Sequence, residues 1–193
     1  MIRNRSDHAA PPGWRTAAVL ILVLALTGCG RNRTPVEPDS GYGTEEEYAV
    51  YRTLFADSNF YRSPSIVLLD STQAWDFLNG EAPWKGRMSR LSDETLENYL
   101  SVNRTRVPMK CVECPGKTCA LISFEEMAVW KRFFPDADGA VTVSRVGFDR
   151  PANQALVYWS VYFAPLAAFG SVVLLEKEGG LWIVRQSLTI WVS

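Results

Sequence analysis

Histidine is nearly absent from this 193-residue chain. The one histidine, His8, lies in an N-terminal segment that we expect to be removed from the mature protein. Without histidine, a mature chain can form neither a Ser–His or Cys–His nucleophile pair nor an imidazole metal site. The sequence therefore excludes the commonest hydrolase active sites, and we expect a protein that is not an enzyme and that uses no cofactor.

An excess of positive charge is missing as well. Lysine and arginine together number 20, against 21 aspartates and glutamates. Removal of residues 1–28 would take away three arginines and one aspartate, which leaves the mature chain mildly acidic. Nucleic acids bind to clusters of lysine and arginine that face their phosphates. We therefore expect no nucleic-acid partner.

The N-terminal apolar run is too short to cross a membrane. Ala17–Leu26 contains ten residues, whereas a membrane-spanning helix needs about 20. The run follows three arginines and ends in Leu26-Thr27-Gly28-Cys29, which resembles the lipobox of bacterial lipoprotein signal peptides. In such proteins a peptidase cuts before a cysteine whose thiol carries a diacylglyceryl group. The resemblance implies that residues 1–28 are a signal peptide and that Cys29 is the lipid attachment site; an ordinary signal peptide or an uncleaved anchor is the alternative.

The residues from Cys29 onward predict a tether and then one folded domain. Residues 29–43 contain prolines, glycines and charges without apolar periodicity, which is typical of a flexible linker. A random coil of this length has an end-to-end distance of about 20 Å. Residues 44–193 suffice for a single domain with a sizeable core. The lipobox resemblance implies a lipid anchor in the bacterial cell envelope. In lipoproteins of Gram-negative bacteria, an aspartate after the cysteine signals retention in the inner membrane. Because Gly30 stands there instead, the resemblance implies the periplasmic face of the outer membrane in a Gram-negative host.

Capping motifs predict the helices. Thr44-Glu45-Glu46-Glu47 is a capping box at the start of a first helix, and Ser92-Asp93-Glu94 starts a second. Ser123-Phe124-Glu125-Glu126 is another capping box, which predicts a third helix that ends before Pro135. Between the first two helices, the apolar run Ser65–Leu69 predicts a short buried strand.

From residue 140 onward the apolar period changes from helical to strand-like. The apolar residues change parity near Ser144-Arg145, which predicts a bulge there. In the last apolar segment, the even-numbered apolar residues are predicted to line one face of a strand. The predicted class is α+β, with N-terminal helices and a short strand packed on a C-terminal four-stranded antiparallel meander. Its four strands are expected in Ala140–Phe148, Gln154–Phe163, Ser171–Lys177 and Leu181–Val192.

The same C-terminal region carries five short motifs: Ser144–Phe148, Gln154–Tyr158, Leu174–Lys177, Trp182 and Trp191–Ser193. Their order and spacing resemble an uncharacterised family of bacterial envelope lipoproteins whose C-terminal sheet reads SRVGFN, QALVY, LLEK, GKW and W-I/V-S. The resemblance covers roughly the last third of the chain. It implies a fold and an envelope location, and it supplies no activity and no catalytic residues.

Three cysteines within nine residues form a separate cluster: Cys111, Cys114 and Cys119. Three thiolates without histidine fall short of a closed zinc site, and Cys114 precedes Pro115-Gly116 where the C-x-x-C of a thioredoxin-like enzyme would open a helix. In an oxidising compartment we therefore expect one structural disulfide. A type II turn at Pro115-Gly116 favours the Cys114–Cys119 pairing. The Cys111–Cys119 pairing is the alternative, and a thiol-redox or thiol-metal role for the cluster is the alternative function.

The predicted link between the second and third strands is unusually apolar for a hairpin tip. Loops generally lie on the surface, so an apolar loop at Pro165–Phe169 either folds back over the sheet or forms a contact site. We expect it to fold back, because Phe169 can cover an open sheet face. The alternative is a small docking patch, formed by Leu166 and Phe169, for a partner or for the membrane surface.

Two carboxylate pairs are the remaining candidates for acid–base chemistry, Glu125 with Glu126 and Glu176 with Glu178. A structural role explains both pairs better, because the first caps a helix and the second lies beside a turn. The sequence therefore favours a lipid-anchored envelope protein that acts as a non-catalytic accessory or binding module, and an enzyme with a carboxylate pair is a further alternative. The expected partners are the membrane, through the lipid on Cys29, and another envelope protein.

Lipidation of Cys29 is directly testable. We predict that mass spectrometry of the mature N-terminus finds a lipid-modified cysteine as the first residue, because the basic start, the apolar run and Leu26-Thr27-Gly28 together match a lipobox. The variant Cys29→Ser should be neither processed nor retained in membranes. A free, unmodified Cys29, or a Cys29→Ser protein that is still processed and retained, would contradict this prediction.

Overall fold

The computed structural model describes residues 43–73 and 82–193. These residues form an α+β domain, as predicted, and none of their helices is long and apolar enough to cross a membrane. The predicted signal peptide, Cys29 and the tether up to residue 42 lie outside the described residues. The helices are α1 (Glu45–Ala56) and α2 (Asp93–Val102), and short 3₁₀ turns occur at Lys85–Arg87, Glu126–Ala128 and Trp130–Arg132. The strands are β1 (Ser65–Leu69), β2 (Thr118–Ile122), β3 (Ala140–Val143), β4 (Gly147–Phe148), β5 (Gln154–Ala164), β6 (Ala167–Glu178) and β7 (Leu181–Val192).

The sheet is mixed, and the predicted four-stranded antiparallel meander is therefore wrong. Its seven strands have the order β2-β1-β3-β5-β6-β7, and β4 also pairs with β5. β1 runs parallel to β2 and to β3, whereas β5 is antiparallel to its neighbours. The predicted buried strand at Ser65–Leu69 is confirmed as β1. Its partner β2 starts at Thr118, and an apolar pattern read along one strand carries no information about so distant a partner.

The first predicted C-terminal strand is interrupted at residues 144–146. The structure has β3 before this point and β4 after it, so a break of three residues replaces the predicted one-residue bulge. Ser144 keeps the break attached to β5, because its backbone N–H donates to the Tyr158 carbonyl (2.9 Å) and its hydroxyl accepts from the Tyr158 N–H (2.8 Å). The change of parity in the sequence therefore located the irregularity correctly and gave the wrong geometry.

Each helix covers one face of the sheet. Neighbouring residues of a strand point to opposite faces, so Leu156 and Val157 of β5 lie on different sides. Tyr51 of α1 packs in the same buried cluster as Val157, and Tyr99 of α2 packs with Leu156. β5 is therefore a central strand that is buried on both faces. A third cluster, around Trp130, covers β1 and β2.

The prediction that the apolar side chains of β7 line one face is wrong, because a bulge at Arg185 moves those beyond it to the other face. Consecutive residues of β6, Leu174 and Leu175, pair with Gln186 and Val184, which leaves Arg185 as an extra residue. Apolar side chains before the bulge pack with the α1 cluster and those beyond it pack with the α2 cluster. β7 therefore contributes to both cores. The two sets are Trp182 with Val184, and Leu188 with Ile190.

The predicted third helix is also wrong. The capping box at Ser123 forms, since the Glu126 carboxylate accepts from the Ser123 N–H (2.8 Å) and the Ser123 hydroxyl accepts from the Glu126 N–H (3.3 Å). Only two 3₁₀ turns follow it, separated by Val129, whose φ of −124° and ψ of 4° leave the helical region. A capping box therefore fixes the first turn here but not the length of a helix.

A buried carboxylate joins α1 to the break between β3 and β4. The Glu47 side chain is 2% exposed. One of its oxygens accepts from the Thr44 backbone N–H (2.7 Å), which completes the predicted capping box. The other accepts from the Val146 N–H (3.1 Å), and the Arg145 guanidinium lies 3.2 Å from both oxygens. The Glu47 charge is therefore fully compensated inside the protein.

The break also makes hydrogen bonds to α2 and to the middle of α1. The Asn103 side chain accepts from the Arg145 N–H (2.8 Å) and donates to the Arg145 carbonyl (3.0 Å). The Tyr51 hydroxyl donates to the Ser144 carbonyl (2.8 Å). The polar backbone of the break, which a regular strand would have satisfied, is thus satisfied by side chains from both helices.

We predict that Glu47→Ala lowers the free energy of unfolding by about 3 kcal/mol, because it removes the buried carboxylate that accepts from the Arg145 guanidinium and from the Val146 N–H. Glu45→Ala is the matched control, since Glu45 is an exposed glutamate in the same helical turn and should change stability by about 0.5 kcal/mol or less. Urea denaturation of the two variants measures the difference. Equal losses of stability would contradict the role given to Glu47.

Candidate binding groove

A groove lies at the C-terminal end of α1. Its volume is about 440 Å³, within the range of roughly 300 to 1,000 Å³ that is common for ligand sites. Four segments meet there: the chain after α1, the turn before β3, the end of β5 and the start of β6. The lining residues are Ser58, Asn59, Phe60, Tyr61, Arg62, Asp138, Val161, Phe163 and Phe169.

A chain of aromatic rings forms the floor of the groove. The Phe169 ring centroid lies 5.4 Å from that of Trp159 and 5.8 Å from that of Phe163, and Phe60 lies 5.6 Å from Trp159. Such ring pairs add about 0.5–1.5 kcal/mol each beyond the area they bury. Trp159 is 3% exposed, and its indole N–H has no hydrogen-bond partner among the described residues, so packing alone holds this ring. The floor is therefore ordered by the fold before any ligand arrives.

Strand pairing and one tyrosine position the walls. Val161 of β5 pairs directly with Phe169 of β6, so both side chains lie on the α1 face of the sheet. The Tyr61 hydroxyl lies 2.9 Å from the Ser65 carbonyl oxygen and 3.0 Å from that of Gly139, which ties the turn before β3 to the start of β1. Burial raises the pKa of Tyr61 to about 12, so this hydroxyl stays protonated as a donor.

The rim of the groove is polar and carries both signs of charge. Arg62 and Asp138 are exposed, and neither forms an ion pair within the described part of the chain. The Arg62 Nε donates to the Ser58 carbonyl (3.2 Å), which leaves the other guanidinium N–H groups toward solvent. The Asn59 amide donates to Asp57 (2.9 Å) and keeps its own oxygen as an acceptor. The rim therefore offers hydrogen-bond donors and acceptors with no net charge.

The structure separates the two residues of the predicted contact loop. The link is a two-residue tip, Pro165-Leu166, and Ala167 already belongs to β6. Phe169 folds back and joins the aromatic floor, as expected for that side chain. Leu166 is 90% exposed and has a φ of 62°, a left-handed conformation that bulky residues rarely adopt. The tip follows directly on the end of β5, and Leu166 is three residues from Phe163 and three from Phe169, which both line the groove.

Most of the groove was missed at the sequence level. Phe60, Arg62, Asp138 and Phe163 come from three separate segments, and no spacing in the sequence connects them. The apolar loop around Phe169 was the one signal, because a phenylalanine beside a hairpin tip must either pack on the sheet or remain exposed.

The disulfide joins Cys111 to Cys119, and the favoured Cys114–Cys119 pairing is wrong. The predicted turn at Pro115-Gly116 does form, with a φ of 74° at Gly116 and a Lys117 N–H to Cys114 carbonyl bond of 3.1 Å. The turn does not decide the pairing, because the Cys114 side chain is buried beside α1, with its sulfur 3.9 Å from the Arg52 carbonyl oxygen. Burial raises the pKa of the Cys114 thiol, which lowers its thiolate fraction and its reactivity.

Three of the four glutamates in the two carboxylate pairs have structural partners, and the fourth, Glu125, is exposed. Glu126 caps the turn at Ser123, as described above. Arg185 bridges Glu176 and Glu178, and Arg90 also pairs with Glu176, at 2.6 Å. The hydrogen bonds from Arg90 lower the pKa of Glu176, which keeps it ionised, whereas a general acid needs a raised pKa. No group of three or more His, Cys, Asp or Glu side chains in residues 43–73 and 82–193 is arranged to hold a metal ion.

A second cavity lies at the N-terminal end of α1. It is larger, about 580 Å³, and it is lined by polar side chains of α2 and of the break near Arg145. Its two arginines each pair with a glutamate, Arg145 with Glu47 (3.2 Å) and Arg150 with Glu94 (2.8 Å). Because both arginines of this cavity are already paired, whereas Arg62 at the aromatic groove forms no ion pair within the described residues, the groove is the better candidate site.

We predict that the double variant Cys111→Ser/Cys119→Ser loses about 2.5 kcal/mol of stability, the loop-closure entropy of a bridge that spans so few residues. Cys114→Ala is the control, since it leaves the bridge intact and should cost about 1 kcal/mol or less. Urea denaturation under oxidising conditions gives both values. Peptide mapping without reduction that finds Cys114 in the bridge would overturn the assigned pairing.

No model of a protein family, no characterised protein and no solved structure matches this chain significantly. The resemblance of the C-terminal strands to envelope lipoproteins therefore remains a prediction. A functional assignment depends on the N-terminal motif and on the chemistry of the groove.

Proposed function

We propose that this protein is a lipid-anchored component of the bacterial cell envelope and that its domain is a non-catalytic module that binds another envelope component in the aromatic groove. The observation that carries the proposal is the groove itself, a preformed aromatic floor under a polar rim. Aromatic side chains bury large areas at a low cost in conformational entropy, and they dominate many binding sites.

The location of the groove suits a tethered protein. The predicted lipid on Cys29 and the predicted tether lead to Gly43, at the N-terminal end of α1. The groove begins just after the other end of this helix, whose 12 residues extend it by about 18 Å. Gly43, where the described residues begin, and the groove therefore lie at opposite ends of α1.

The groove is better suited to binding than to acid–base catalysis. Asp138 is the one carboxylate among its described lining residues, whereas acid–base chemistry on two carboxylates needs both in one site. The Arg62 guanidinium offers a ligand N–H donors and no acceptor. The polar groups of the rim can hydrogen-bond a ligand without reacting with it.

Leu166 adds a second contact beside the groove. A left-handed conformation costs an ordinary L-residue about 1–2 kcal/mol, and the exposed Leu166 side chain returns little of that cost through packing. Residues that adopt an unfavourable backbone conformation without a compensating contact in the fold often have a functional role. We therefore include Leu166 in the contact surface.

We predict that a benzophenone amino acid placed at Leu166 forms covalent adducts in living cells, because this position lies at the edge of the occupied groove. The same probe at Leu181 is the matched control: it is 72% exposed and lies at the other hairpin tip, at the opposite end of β6. Adducts should form at 166 and not at 181, and Phe163→Ala should abolish them.

Identical adducts at both positions, or adducts at 166 that survive Phe163→Ala, would contradict binding in the groove. Circular dichroism of Phe163→Ala shows whether the fold persists, and Phe163→Leu serves as a second variant that removes the ring and keeps apolar volume.

A further inference from the structure

We infer that the groove binds a neutral carbohydrate chain, with a sugar ring stacked on the exposed aromatic side chains and its hydroxyl groups hydrogen-bonded to the rim. The inference rests on the proposed function and names the ligand class of the same site. Three properties of the described residues carry it: the exposed rings, the charge balance of the rim, and the two rim charges, Arg62 and Asp138, that form no ion pair within the described part of the chain.

The exposed rings match the apolar face of a sugar. A pyranose ring presents C–H groups on one face and hydroxyl groups around its edge. Phe163 is 37% exposed, and Phe60 is half-buried at the groove. Both rings pack against another aromatic ring, Phe60 against Trp159 and Phe163 against Phe169. Because these rings are already ordered, stacking a sugar on them costs little conformational entropy.

The charge balance of the rim favours a neutral ligand. Arg62 supplies donors, Asp138 supplies acceptors and Asn59 supplies an amide oxygen, so the charges of the lining residues cancel. A phosphate-bearing ligand or an anionic lipid surface would be matched by a surplus of lysine and arginine. A polyol both donates and accepts hydrogen bonds and carries no charge, which is what this rim complements.

A protein partner fits the same rim less well. An apolar side chain in the groove would cover Arg62 and Asp138 without hydrogen-bonding them, and covering unpaired charged groups is costly. Sugar hydroxyl groups replace the water around both side chains. A carbohydrate therefore contacts the floor and hydrogen-bonds the rim together, whereas an apolar side chain contacts only the floor.

The test is titration of the full lipidated chain with neutral oligosaccharides, in a polyoxyethylene detergent that has no sugar headgroup. The probes are tetramers of glucose, galactose, mannose and N-acetylglucosamine, and binding is read by calorimetry and by saturation-transfer NMR. We expect at least one tetramer to bind, with NMR contacts from the ring C–H protons of the sugar. Phe163→Leu should weaken binding at least ten-fold, and loss of a charged hydrogen-bond partner in Asp138→Asn should weaken it by about ten-fold.

Matched controls come from the same chain. Phe133→Leu changes another exposed phenylalanine, and Asp136→Asn changes an exposed aspartate of the same turn, and neither residue lines the groove. Both control variants should bind the sugar as the unchanged protein does. Binding that falls equally in the groove and control variants would overturn the inference.

Failure of the inference can be told apart from failure of the proposed function. If no tetramer binds and the Phe163-dependent adduct at Leu166 is a protein, the carbohydrate inference is wrong and the binding module stands. If no tetramer binds and no Phe163-dependent adduct forms, both proposals fail.

Discussion

The fold depends on one buried carboxylate, that of Glu47. Its oxygens accept from the backbone at Thr44 and Val146 and pair with the Arg145 guanidinium. A buried charge is tolerated only when charge and hydrogen-bonding capacity are both matched, and here a single side chain starts α1 and fixes it to the sheet. Because the N-terminal end of α1 is fixed, the chain that leaves its other end is directed toward the ends of β5 and β6, where the aromatic groove forms.

The break at residues 144–146 is therefore a structural junction. A continuous strand would satisfy its own backbone through its neighbours, whereas this segment uses Glu47 and Tyr51 of α1 and Asn103 at the end of α2. α2 also crosses β4 closely at Gly147, where a side chain would overlap the Tyr99 backbone. The two helices consequently cover opposite faces of β5 and share one set of polar contacts across the sheet. The N-terminal end of α1 thus fixes the helix to the sheet, and the chain after its C-terminal end lines the groove.

The sequence predicted features that depend on local chemistry. A capping box located the start of α1, and the apolar run Ser65–Leu69 identified β1. Features that depend on distant partners were missed. Parallel pairing of β1 with β2 joins segments about fifty residues apart, and the disulfide depends on which cysteine the core buries. The groove assembles side chains from two loops and two strands. The bulge at Arg185 moves the side chains that follow it to the other face of β7. No residue pattern marks this bulge, because the apolar residues that pack in the two clusters, before and after it, are all even-numbered.

Native-state hydrogen exchange at the break tests the central role of Glu47 most directly. If the break is a rigid junction, the Arg145 and Val146 amides, which donate to Asn103 and Glu47, should exchange as slowly as the Leu156 and Val157 amides in the middle of β5. Slow exchange shared by all four amides would show that they open in one cooperative unit. Exchange of Arg145 and Val146 at the rate of exposed loop amides, with β5 still protected, would contradict the account.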